Sequence, residues 1–119
     1  MGLKEKFKAV RDGYVEKQAM NAELPAFPED NLRRYRVRFI GRVQKVGFRH
    51  EVILLSRRLG LTGWCRNEED GSVLAEFQGP ECRIRWLIAF MESLKRIRIR
   101  EKRMETLEVI HNETEFVQK

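Results

Sequence analysis

The chain has 119 residues, 24 of them Lys or Arg against 18 Asp or Glu, for a formal net charge of +6 and a hydrophobic fraction of 42%. That is enough material for one core and gives no reason to expect a second domain. No run approaches a membrane span and no apolar signal region opens the chain, so a cytoplasmic protein with no membrane partner is expected.

Leu3, Phe7, Val10 and Tyr14 are spaced four, three and four, which predicts a short amphipathic helix. A helix of this length is marginal alone, so its stripe needs a surface, on the same core or on a partner. Pro25 and Pro28 then mark a linker. Residues 1–31 therefore read as a helical extension and residues 32–119 as the folded domain. The extension carries five basic and six acidic groups and the rest 19 and 12, so all the excess positive charge lies in the domain.

From Arg34 to Ile40 the pattern alternates strictly: Tyr35, Val37 and Phe39 on one side of a strand, Arg34, Arg36 and Arg38 on the other. After it, Phe48, Val52, Leu55 and Leu59 form the stripe of a helix ending at Gly60. The run from Gly41 to Gly47 thus joins a strand to a helix N-terminus. There the unpaired first-turn amides and the helix dipole favour an anion, and Arg49 adds a guanidinium fork. His50 points about 100° away from Arg49 around the helix and reads as a partly exposed helix residue.

Leu61–Asn67 and Ser72–Gln78 read as two strands joined by a tight Asp70-Gly71 turn. Pro80 opens a second helix with the stripe Ile84, Leu87, Ile88, Met91 and Leu94. Arg96–Arg103 begins a fourth strand, with Ile97 and Ile99 inward, and Phe116 and Val117 close a sheet edge. The order is β-α-β-β-α-β, an α+β ferredoxin-like sandwich with an antiparallel sheet and two helices on one face. Cys65 and Cys82 lack metal-ligand spacing and are expected to stay thiols: Cys65 as core filler, Cys82 structural, although its place in the first helical turn favours thiolate character.

Two stretches carry a resemblance. Gly41-Arg42-Val43-Gln44-Lys45-Val46-Gly47-Phe48-Arg49 resembles the acylphosphatase signature Gly-x-Val-Gln-Gly-Val-x-Phe-Arg. Gly60-Leu61-Thr62-Gly63-Trp64-Cys65-Arg66-Asn67, followed by Asp70-Gly71-Ser72-Val73, resembles the family's second motif. The resemblance covers roughly residues 34–117. It implies a hydrolase without metal or other cofactor that cleaves the carboxyl-phosphate bond of small acyl phosphates. By the same resemblance, Arg42, Val43, Gln44, Lys45, Val46, Gly47 and Phe48 form the loop holding substrate or inorganic phosphate. Arg49 binds the phosphate and Asn67 orients the attacking water.

Lys45 departs from the pattern, standing where the family has glycine. If the position needs positive φ, the lysine is strained by roughly 1–2 kcal/mol; its ammonium is expected to point into water. The chemistry itself needs no strong base. An acyl phosphate is an activated anhydride with a good leaving group, so positioning and charge stabilisation carry most of the acceleration. The Asn67 amide has both a donor and an acceptor with which to hold one water.

Two other readings stay open. Arg34, Arg36 and Arg38 would lie beside Arg96, Arg98 and Arg100 on the open sheet face, a surface suited to RNA in a topology that RNA-recognition domains share. Against it, the third strand has no pair of exposed aromatics, Trp64 alone is a poor platform, and Glu76, Glu101 and Glu105 stand ready to neutralise the arginines. The other alternative is a degenerate acyl-phosphate or anion-binding domain, for which Lys45 is the motif-level reason.

Overall fold

The computed structural model describes residues 2–119. In chain order its elements are α1 (Leu3–Asn21), β1 (Leu32–Arg42), α2 (Phe48–Arg58), β2 (Thr62–Asn67), β3 (Val73–Pro80), α3 (Glu81–Ser93), β4 (Arg98–Leu107) and β5 (Phe116–Gln118). The strands form one sheet in the order β4-β1-β3-β2-β5. β1 runs antiparallel to β3 and β4, β2 is antiparallel to β3, and β5 joins the edge parallel to β2. This is the expected α+β ferredoxin-like sandwich, except that the sheet is mixed rather than wholly antiparallel, because β5 adds at the edge parallel to β2.

Alternation along β1 buries Tyr35, Val37 and Phe39. Against them pack Phe48, Val52 and Leu55 of α2 and Ile84, Leu87, Ile88 and Met91 of α3, the residues that helical spacing singled out. Each such side chain contributes roughly 2 kcal/mol of burial, set against its share of ordering entropy. Residues between α1 and β1 also pack here: Phe27 meets Trp86 edge-on at 6.2 Å, and Asp30 Oδ2 accepts the Cys82 amide at 2.8 Å, satisfying a first-turn donor of α3. Burial, with Asp30 beside it, pushes the Cys82 thiol up, against the thiolate character suggested by its helical position.

The arginine rows do not meet as expected. Because β1 and β4 are antiparallel, the start of β4 lies opposite the end of β1: Arg98 faces Arg42, whereas Arg36 faces Glu105 and Arg38 faces Arg103. Arg96 precedes β4 altogether. Arg34 is not a solvated face residue either, being 1% exposed. It donates from Nε to Glu76 at 2.9 Å, from Nη1 to Gln78 at 3.1 Å and through both Nη atoms to Glu113 at 2.8 and 3.2 Å.

α1 packs on a different face from the one its apolar stripe suggests. Leu3, Phe7, Val10 and Tyr14 are all more than half exposed, while Val15 and Ala19 are buried. At about 100° per residue the two faces lie roughly 130° apart. Polar groups of the domain choose the face. Arg58 Nη1 donates to the carbonyls of Ala19 and Ala22 at 2.7 and 2.8 Å. His50 Nε2 lies 3.2 Å from Glu16 Oε1. Arg96 donates to Gln18 Oε1 and to Glu51 Oε1, and its Nε donates to the Val46 carbonyl at 2.8 Å.

Candidate active site

Between the end of β1 and Phe48, residues 43–47 form a strand-to-helix turn. Lys45 and Gly47 bend it with φ of 62° and 80°. The strain anticipated at Lys45 is therefore present, about 1–2 kcal/mol for an L-residue in this region, and its side chain is exposed at the mouth of a cavity. Gly47 answers two demands. Its φ favours glycine, and a Cβ there would lie 2.6 Å from Val15 Cγ2 of α1.

None of the amides of residues 44–48 donates to a backbone carbonyl among the described residues. With the positive end of the α2 dipole behind them, these N–H groups make a cradle of the kind that favours an anion. Gln44 holds the cradle in place from outside, its Nε2 donating to the carbonyls of Glu68 at 2.8 Å and Ser72 at 2.9 Å. Those carbonyls belong to the β2–β3 hairpin. Asp70 Oδ1 fixes the hairpin by accepting from Ser72 Oγ at 2.6 Å and from its amide at 2.9 Å, contacts that hold the Asp70 carboxyl below its ordinary value. The Gln44 link thus sets Asn67, the last residue of β2, beside the turn.

The cavity has a volume of about 330 Å³. Val43, Lys45, Gly47, Phe48 and Arg49 line it from the turn and α2, and Asn67 from β2. Arg49 and Asn67, 18 residues apart in sequence and in different motifs, therefore meet at one site. The side chains of Arg42, Gln44 and Val46 do not line it: Arg42 is exposed on the strand, Gln44 serves the hairpin, and Val46 offers its carbonyl to Arg96. Beneath the site, burial pushes the Cys65 thiol up to about 12, with the Arg49 charge acting against that rise.

Sequence reasoning missed part of the wall. Lys8, Arg11 and Asp12 of α1 line the same cavity, as do His50 and Gln118. A signal for α1 was available: Lys4, Lys8 and Arg11 are spaced four and three, a basic stripe at helical period.

A larger concavity, of about 690 Å³, lies on the open sheet face. Much of its charge is paired within the fold. Arg34 and Arg36 pair with Glu76 at 2.9 and 2.8 Å, Arg36 also pairs with Glu105 at 3.2 Å, and Trp64 is covered by Arg66 and Lys119. Of the arginines that suggested RNA, Arg34, Arg36, Arg38 and Arg96 pair with carboxylates within the fold, whereas Arg98 and Arg100 pair with none among the described residues.

Chemically, the turn and hairpin define a class: an α+β sandwich with a cationic, amide-lined pocket at a helix N-terminus and a neutral amide side chain at its edge. The acylphosphatase family model matches residues 35–118, and the chain belongs to that family. An acylphosphatase of Salinibacter ruber is 54% identical over 48 residues, 40% of this chain and 50% of that protein. One of Trichormus variabilis is 46% identical over 63 residues, 50% of this chain and 62% of that protein. The chain thus spans about half to three fifths of the length of these curated relatives. The crystal structure of an acylphosphatase from Bacillus subtilis superposes with a TM-score of 0.68 at 26% identity, covering 75% of this chain and 99% of that one.

Proposed function

We propose that the protein is a metal-independent cytoplasmic acylphosphatase that hydrolyses the carboxyl-phosphate bond of small acyl phosphates. The observation that carries this reading is the convergence of Arg49 and Asn67 on one cavity whose floor is a row of free amides. The phosphoryl group sits in the amide cradle with the Arg49 guanidinium across its oxygens. Asn67 holds a water by its side-chain amide, accepting from it and donating to it, in line with the bond to be broken. The water oxygen bonds to phosphorus as the bond from phosphorus to the acyl oxygen breaks. The carboxylate departs with the electron pair, and the water's proton passes to the phosphate product or to solvent. A carboxylate is a good enough leaving group to go without a general acid.

Support also comes from the charge at the mouth. Lys45 and Arg49 both face an anion that carries about two negative charges. The reading is tested by Arg49→Ala and Asn67→Ala assayed on benzoyl phosphate. Each is expected to lower kcat/KM at least about 100-fold, roughly 2.7 kcal/mol of transition-state stabilisation. Turnover within about threefold of the unmodified protein in either variant would remove that residue from the mechanism.

A further inference from the structure

The cavity holds more positive charge than a phosphoryl group requires. Lys8, Arg11, Lys45 and Arg49 line it against the single carboxylate of Asp12, a formal surplus of three. The phosphoryl group of an acyl phosphate brings about −2. Lys8 and Arg11 come from α1, outside the stretch of residues 35–118 that the family model matches.

Arg11 and the helix that carries both residues are held in place. The Arg11 stem packs on the turn, with Cγ and Cδ each 3.8 Å from the position a Cβ on Gly47 would occupy. Below it Val15 and Ala19 are fully buried, and Arg58, His50 and Arg96 anchor the helix from the domain side. Asp12 takes up part of Arg11, accepting from Nε at 3.3 Å and from Nη2 at 3.2 Å. Arg11 Nη1 and the Lys8 ammonium pair with no carboxylate among the described residues. The Arg11 and Asp12 side chains are each about one third exposed, 31%, so a ligand can reach the guanidinium.

We infer that Lys8 and Arg11 form a second anion subsite beside the phosphoryl cradle, which selects acyl phosphates whose acyl portion carries a further negative group. The inference rests on the acylphosphatase reading and names the substrate class within it. With the phosphoryl group on the loop amides and Arg49, the acyl portion extends toward the cavity wall that α1 supplies. A carboxylate or second phosphate there meets the free Arg11 donors and the Lys8 charge. An uncharged acyl group leaves them without a partner. Asp12 limits the subsite by repelling an anion on its own side of the guanidinium.

The test compares benzoyl phosphate with 3- and 4-carboxybenzoyl phosphate, which differ from it only by the added carboxylate. For the unmodified protein, kcat/KM for the better carboxylated substrate is expected to exceed that for benzoyl phosphate by about fivefold or more, shrinking toward equality in 0.5–1 M salt. In Lys8→Ala and Arg11→Ala the ratio falls at least about threefold, and in the double variant it approaches one. Arg11→Lys keeps part of it, and because it preserves charge and stem it serves as the variant least able to disturb folding. If benzoyl phosphate is hydrolysed but the ratio is near one, or is unchanged in the double variant, the subsite is overturned and the acylphosphatase reading stands. If neither substrate is hydrolysed, both fall.

Discussion

Lys45 shows how a single residue can carry opposing effects. Its φ of 62° belongs to a conformation that glycine adopts freely, while its side chain adds a cation to the mouth of the site. Lys45→Gly removes both. Relief of about 1–2 kcal/mol of left-handed strain is partly offset by the roughly 0.5–1 kcal/mol of extra chain entropy that glycine loses on folding. A net gain of at most about 1.5 kcal/mol in urea denaturation is expected, with kcat/KM for benzoyl phosphate unchanged or higher. A loss of more than about tenfold would assign the ammonium a part in turnover. The strain was legible in the sequence, because the signature places glycine there. Legible too was the pairing of Arg49 with Asn67. The outward turn of Gln44 was not, since its partners are backbone carbonyls 24 and 28 residues away and carry no side-chain signature.

Among the elements, α1 departs furthest from its sequence pattern. Spacing identified the helix, but its large apolar residues stay exposed and the small Val15 and Ala19 make the contact. Close approach needs a glycine opposite, at Gly47, and the polar anchors that select the face lie 34 to 78 residues away in sequence. Arg96 is the joint of this arrangement, reaching α1 through Gln18, the anion cradle through Val46 and α2 through Glu51. Glu51 is fully buried, one of its oxygens lacks a partner, and burial pushes its carboxyl up despite Arg96. Arg96→Ala leaves that carboxyl without its cation. The expected loss of stability is about 3 kcal/mol, the low end for a broken buried pair because Arg96 is 21% exposed. Adding Glu51→Gln should recover part of it in urea denaturation. An Arg96→Ala protein as stable as the parent would show that the joint bears no load.

Across the whole molecule, the net charge of +6 suggested a basic surface, yet much of the sheet face is internally balanced. The β-α-β-β-α-β order follows from alternation and helical stripes, whereas the ion network does not. Arg34 finds Glu76 42 residues away through strand register, and Glu113 79 residues away in the segment between β4 and β5. Burial pushes the Glu76 carboxyl up, but the hydrogen bonds and charges of Arg36 and Arg34 outweigh it and hold the group below its ordinary 4.5. A carboxyl depressed in the folded state adds stability above the unfolded value, and that stability is lost as pH falls through the folded value. Urea stability should therefore decline as pH drops below about 4.5, and Glu76→Gln should be less stable near neutrality with a shallower acid decline. An equally steep decline in the variant would trace the acid sensitivity to other carboxyls. Glu51 has the opposite sign, favouring the fold at low pH and opposing it as the group ionises.

Among the described residues no helix is long and apolar enough to cross a membrane, and the central claim concerns chemistry in solution at the strand-to-helix turn. Its most direct test is hydrolysis of benzoyl phosphate by the unmodified protein in ¹⁸O-labelled water with excess chelator. The account predicts turnover undiminished by the chelator, with the label entering inorganic phosphate through attack at phosphorus. No turnover, turnover abolished by the chelator, or label in the benzoate would contradict it.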